Sequence, residues 1–145
     1  MIPNGTNNES MSPVETAQRF IDCINSRDAG AIAGMMTPDH RFIDSEGAVH
    51  EGRGRMEKGW EDYFRLVPDY EIAVERIFAE GSEVVILGAA RGTYCHGGKL
   101  LPEDAWATPA VWFARIKDGL VHEWRVYADN EPMRARMRAH QRGTL

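Results

Sequence analysis

Asp44 is the residue in this chain whose neighbours best suit it to chemistry. It ends the alternating stretch His40 to Asp44, in which Phe42 and Asp44 share one strand face. A carboxylate among apolar side chains is desolvated, its pKa rises toward a useful range, and it can act as a general base. The competing reading is an aspartate at a strand end that caps the Ser45-Glu46-Gly47 turn. His40 has the same parity, so it is expected at the pocket rim, touching a ligand or modulating Asp44. Arg91 offers a guanidinium for an anionic or carbonyl group, or else is an exposed strand arginine. The five histidines show no HxH or HxxxH spacing, so no metal site is expected. Cys23 and Cys95 belong to no CxxC and read as reduced thiols. No cofactor is implied.

The elements that must position these residues can be read along the chain. Met1 to Met11 is polar and is expected to be a disordered tail, with a single domain from Ser12 to Leu145. Ser12-Pro13-Val14-Glu15 opens a helix with a capping box, and Val14, Ala17, Phe20, Ile21 and Ile24 form its apolar stripe. Asp28 caps a second short helix through Met36, which Thr37-Pro38-Asp39 ends. His40 to Asp44 is a strand. A third helix runs from after Gly52 to about Val67 and places Met56, Trp60, Tyr63 and Phe64 on one face. From Tyr70 the period changes to two. Tyr70–Ala79 and Glu83–Tyr94 form a hairpin, and Asp104–Lys117 and Leu120–Asp129 form another across Asp118-Gly119. Glu131 to Arg142 is a basic helical tail, read as a solvated face or as an arm over a partner subunit.

Helices first and long antiparallel strands afterwards predict an α+β fold, in which a strongly curved sheet wraps three helices into an open cone. Such a cone holds a pocket, the default place for a site. Trp60, Tyr63, Trp112 and Trp124 can face into it and contact a ligand, or fill it as core. Rings around one carboxylate favour a small, hydrophobic, planar ligand. The formal net charge of −5 argues against nucleic-acid binding. No apolar run approaches a membrane span and the start lacks signal-peptide features, so a cytoplasmic protein is expected.

Three stretches resemble the nuclear transport factor 2-like superfamily of cone-shaped folds. They are Arg19 through Asp28-Ala29-Gly30 to Asp44, His50-Glu51-Gly52-Arg53, and Phe113 through Asp118-Gly119 to Asp129. The superfamily includes ketosteroid isomerases, limonene epoxide hydrolases and SnoaL-like polyketide cyclases, and one fold hosts many activities. In the isomerase pattern an Asp at the position of Asp44 is the general base. Its oxyanion-hole Tyr and Asp match Phe20 and Trp112 here, of which only the indole keeps a donor. The hydrolase pattern keeps Arg91 but has Thr93 and Val126 in place of its two acids. The cyclases match best in overall texture, through Ala90-Arg91-Gly92-Thr93-Tyr94, His96-Gly97-Gly98 and Trp124 to Asp129. They use an Asp and a His in the cavity, which implies His96 at the mouth as the histidine. The resemblance also implies a homodimer through the open sheet face, where Phe113 lies.

Two readings follow. One is an isomerase, cyclase, dehydratase or hydrolase of a small hydrophobic carbonyl compound, with Asp44 as base. The other is a non-catalytic ligand-binding or scaffold protein of the same fold.

Overall fold

The computed structural model describes residues 11–143, so the polar tail up to Ser10 lies outside the described residues. The first helix, α1 (Pro13–Asn25), begins where the sequence places its capping box. Ser12 Oγ accepts the Glu15 amide at 3.1 Å, and Glu15 accepts the Ser12 amide at 2.9 Å. Thr16, Ala17, Phe20, Ile21 and Ile24 are its buried face. Asp28 caps α2 (Ala29–Gly34) by accepting the Ala31 amide at 3.0 Å.

The helix expected to run to Met36 stops at Gly34, and strand β1 already spans Met36–Ile43. Pro38 does not prevent this. The pairing of β1 with the last strand is irregular between Met36 and Arg41, which accommodates the residue without an N–H. A three-residue strand, β2 (Val49–Glu51), returns antiparallel to β1, with Phe42 opposite His50. The period-two reading did not resolve this strand, because three residues carry too little alternation. Then come α3 (Arg53–Leu66), β3 (Glu71–Glu80), β4 (Glu83–Thr93), β5 (Ala105–Lys117), β6 (Leu120–Ala128) and α4 (Glu131–Gly143).

The six strands form one curved sheet in the order β2-β1-β6-β5-β4-β3, antiparallel except for the β1–β6 pair. This is the α+β cone expected, with helices packed in its concave face. Val84, Ile86, Trp112, Ala114 and Val121 point inward from alternate strand positions and are buried against Phe20, Ile24 and Ile32. The β5–β6 hairpin turns at Asp118 (φ 53°) and Gly119 (φ 75°), the left-handed pair that a two-residue hairpin requires. At Gly92 a Cβ would stand 2.3 Å from Val67 Cγ1, so only glycine lets the chain after α3 lie on β4. Among the described residues no helix is long and apolar enough to cross a membrane.

Candidate active site

The wide end of the cone is hollow. A cavity of about 450 Å³ opens there, and its walls are largely aromatic. Alternation along β5 aims Trp106, Thr108 and Trp112 inward, and β6 contributes Trp124, Val126 and Ala128. The helical stripe of α3 adds Met56, Trp60 and Tyr63. The tryptophans therefore line the cavity rather than fill it. Rings follow one another along the wall. His50 lies 5.8 Å from Phe42, Phe42 6.5 Å from Trp60, Trp60 6.4 Å from Tyr70, and Tyr70 6.3 Å from Trp106. Trp106, absent from the residues singled out in the sequence, could have been found by extending the parity of Trp112 back along the same strand.

Asp44 stands at the polar end of this cavity, and it also closes a turn. Its Oδ1 accepts the amides of Glu46 and Ala48, each at 2.9 Å, which closes the turn between β1 and β2. Its Oδ2 lies 3.1 Å from His50 Nε2. Burial alone would raise the Asp44 carboxyl. The bonds from His50, Ala48 and Glu46 outweigh it and hold the group below its ordinary value. Asp44 is thus a firmly ionised carboxylate, not one tuned upward toward neutrality as the sequence suggested. Because an ionised carboxylate only accepts, His50 Nε2 must carry the hydrogen that joins the pair.

His50 also lines the cavity, and sequence reasoning missed it. The usable signal was the Ser45-Glu46-Gly47 turn. A tight turn after Asp44 brings the residues of the returning strand beside it. Tyr63 and Tyr70 line the cavity too, and burial pushes both phenols far above their ordinary value, so they remain O–H donors at any working pH. The buried indole N–H of Trp106 has no partner among the described residues, a deficit of about 1–3 kcal/mol for a sealed donor.

Four other residues expected at the site lie elsewhere. Arg91 has outward parity on β4 and pairs with Glu71 at 2.8 Å on the exposed face. His96 does not line the cavity. It stacks on His140 with ring centroids 4.0 Å apart. Phe20 is wholly buried beneath Trp124, at 4.9 Å between centroids. His40 shares the parity of Asp44 but sits one layer deeper, where it packs near Phe20 and donates from Nδ1 to the Val121 carbonyl at 2.8 Å. Burial pushes its pKa down. Thr93, at one position where the hydrolase pattern has an acid, binds Asp69 through its amide and hydroxyl, each at 2.7 Å.

The basic tail covers this chain's own cavity rather than standing free. Asp129 caps α4 by accepting the Glu131 amide at 2.9 Å. Met133, Arg134 and Met137 then form one side of the cavity mouth. Asn130 donates to Ser45 Oγ at 2.7 Å, and Arg134 pairs with Glu46. At the other end Arg136 donates to the Glu103 carbonyl at 2.9 Å. Among the described residues no His, Cys, Asp and Glu side chains group as a metal site.

The family model of the SnoaL-like domain matches residues 17–124. A SnoaL-like polyketide cyclase assignment from Jannaschia sp. is 24% identical, with a TM-score of 0.74 over 87% of this chain and 92% of that one. One from Shewanella denitrificans is 16% identical, with a TM-score of 0.75 over 88% and 97%. A protein of ketosteroid isomerase-like fold from Catenulispora acidiphila, solved with trimethylamine, is 14% identical, with a TM-score of 0.73 over 84% and 91%. Comparison with curated proteins finds no match.

Proposed function

The chain belongs to the SnoaL-like family, and from that premise we propose that it is an enzyme that moves a proton on a small hydrophobic, planar carbonyl compound. The reaction class is isomerase, cyclase, dehydratase or hydrolase, and the acid/base centre is the Asp44 carboxylate with the histidine bound to it. One observation carries this reading. An ionised, hydrogen-bonded carboxylate and an imidazole form part of the polar end of a cavity of about 450 Å³ whose other walls are largely aromatic and aliphatic, with Arg55 and Arg134 also at its lining. A C–H next to a carbonyl becomes acidic when the charge that develops on oxygen meets a donor. Tyr70 and the Trp112 indole are donors of that kind in the same walls, and the Tyr63 hydroxyl, which donates to Met133 Sδ at 3.8 Å, becomes a third when it turns from the sulfur.

The test follows deuterium uptake at the acidic carbon of 2-tetralone in D₂O. The wild-type chain should accelerate uptake, and Asp44→Asn should lose at least tenfold of that acceleration. Equal uptake with and without protein would remove proton transfer from the account.

A second reading is favoured by the turn. Asp44 Oδ1 is fully engaged by two amides, as a purely structural aspartate would be. The chain would then be a ligand-binding protein, expected to bind 2-tetralone without accelerating its exchange.

The proposal includes a homodimer through the outer sheet face. Phe78 and Tyr127 are 46% and 50% exposed there, each under an arginine side chain. Sedimentation of a monomer at micromolar concentration would count against it.

A further inference from the structure

We infer that His50 Nδ1 is the atom that takes the proton from the ligand, and that Asp44 is a positioning residue acting only through His50. The inference rests on the acid–base reading above and deepens it.

Asp44 Oδ1 already accepts two amides, at Glu46 and Ala48. Oδ2 is directed at His50 Nε2. A carboxylate so engaged is a weak base, and its bonds hold its protonation below the ordinary range. The hydrogen on Nε2 fixes the neutral ring as the tautomer with its lone pair on Nδ1. Nδ1 has no hydrogen-bond partner among the described residues. Nor is it one of the sealed polar atoms that lack a partner, such as the Trp106 indole nitrogen. The lone pair is therefore free and reachable, on a ring that lines the cavity.

Phe42 flanks the imidazole at 5.8 Å and its carboxylate partner is anchored by the turn, so the ring has little freedom to turn away. The step balances without any further reactant. The C–H bond of the ligand breaks, its proton bonds to Nδ1, and its electron pair moves through the new C=C bond onto the carbonyl oxygen as an enolate. The imidazolium formed is stabilised by Asp44 across the Nε2 bond. Return of the same proton to another carbon, or to oxygen, regenerates the ring.

Two measurements on the whole chain test this. The first is the nitrogen NMR spectrum of the His50 ring without ligand. The wild type should carry its neutral-form hydrogen on Nε2. In Asp44→Asn the amide oxygen stays on the two turn N–H groups, so the NH₂ faces His50 and the hydrogen should move to Nδ1. A wild-type hydrogen on Nδ1, or a tautomer unmoved in Asp44→Asn, overturns the inference. The second is binding of 2-naphthol and of 2-methylnaphthalene, which has the same outline but no O–H. An accepted hydrogen bond should give 2-naphthol about a tenfold advantage, lost in His50→Phe and in Asp44→Asn. An advantage that survives both variants also overturns it. If neither probe binds the wild type, the hydrophobic-cavity reading fails, and the tautomer still decides the role of His50.

Discussion

His140 Nε2 lies 2.8 Å from Oδ2 of Asp104, a residue only 2% exposed, and this contact pins the far end of α4 to the loop before β5. The near end is pinned by Asn130 on Ser45 and Arg134 on Glu46, the turn that Asp44 closes. Between these points the helix contributes Met133 and Met137 to the mouth of the cavity. Polar contacts thus hold much of this cover in place, and a segment held in that way opens more readily than the core.

The first prediction concerns that cover. His140→Ala leaves a buried carboxylate without its partner and frees one end of α4. Amide hydrogen exchange over residues 131–143 should rise at least tenfold, while the midpoint of thermal unfolding falls by only a few degrees. Unchanged protection in this segment would mean that the other contacts of α4 hold it without the His140–Asp104 pair.

The second concerns Asp44 as a turn residue. Asp44→Ala removes the acceptor of two amides and should destabilise the chain by about 1–3 kcal/mol in denaturant titration. Asp44→Asn keeps an acceptor and should stay within about 1 kcal/mol of the wild type. Because the folded carboxyl lies below its ordinary value of 3.8, its contribution is fully present above that pH and disappears as pH falls through the lower folded value. The acid limb of stability in Asp44→Ala should accordingly be flatter than in the wild type.

Asp44 also shows where the sequence could be read and where it could not. The capping box at Ser12, the period-two stretches and the Asp118-Gly119 turn are local patterns, and each appears where local chemistry puts it. The aromatic walls were legible for the same reason, since parity alone aims Trp112 and Trp124 inward. The partner of Asp44 could be read only through the Ser45-Glu46-Gly47 turn, because it arrives on a three-residue strand with no pattern of its own. His96 was misplaced because a loop has no parity. His40 has the right parity, yet depth along the cone decided its surroundings, and periodicity carries no information about depth. Likewise the basic texture of α4 could not say that it would fold back on its own mouth.

The third prediction uses that depth. His40 is buried with its pKa pushed down, mainly by burial and against the bond to Val121. The unfolded chain, with the ordinary value of 6.5, binds the proton more readily than the folded one. Stability from a neutral His40 is therefore complete above that value and is lost as pH falls through it toward the lower folded value. Thermal unfolding measured across this window should show the decline, and His40→Asn should largely remove the slope. A wild-type profile flat from pH 7 to 5 would count against a neutral buried His40.

The last prediction compares two alanines that face each other across strands. Ala110 on β5 is paired with Ala128 on β6. Ala110 is 4% exposed and packs in the core, whereas Ala128 is half-buried and borders the cavity. The same added ring should therefore act in opposite ways. Ala110→Phe forces bulk into a filled layer and should cost about 1–3 kcal/mol of stability. Ala128→Phe has empty space to enter, so its stability should stay within about 1 kcal/mol of the wild type. Its ring then occupies the volume a ligand would need, and affinity for 2-methylnaphthalene should fall at least tenfold. Calorimetry on both variants, with and without that probe, reads these three values. If Ala128→Phe destabilises as much as Ala110→Phe, the space beside β6 is not available, and ligand binding must then be sought away from this wall.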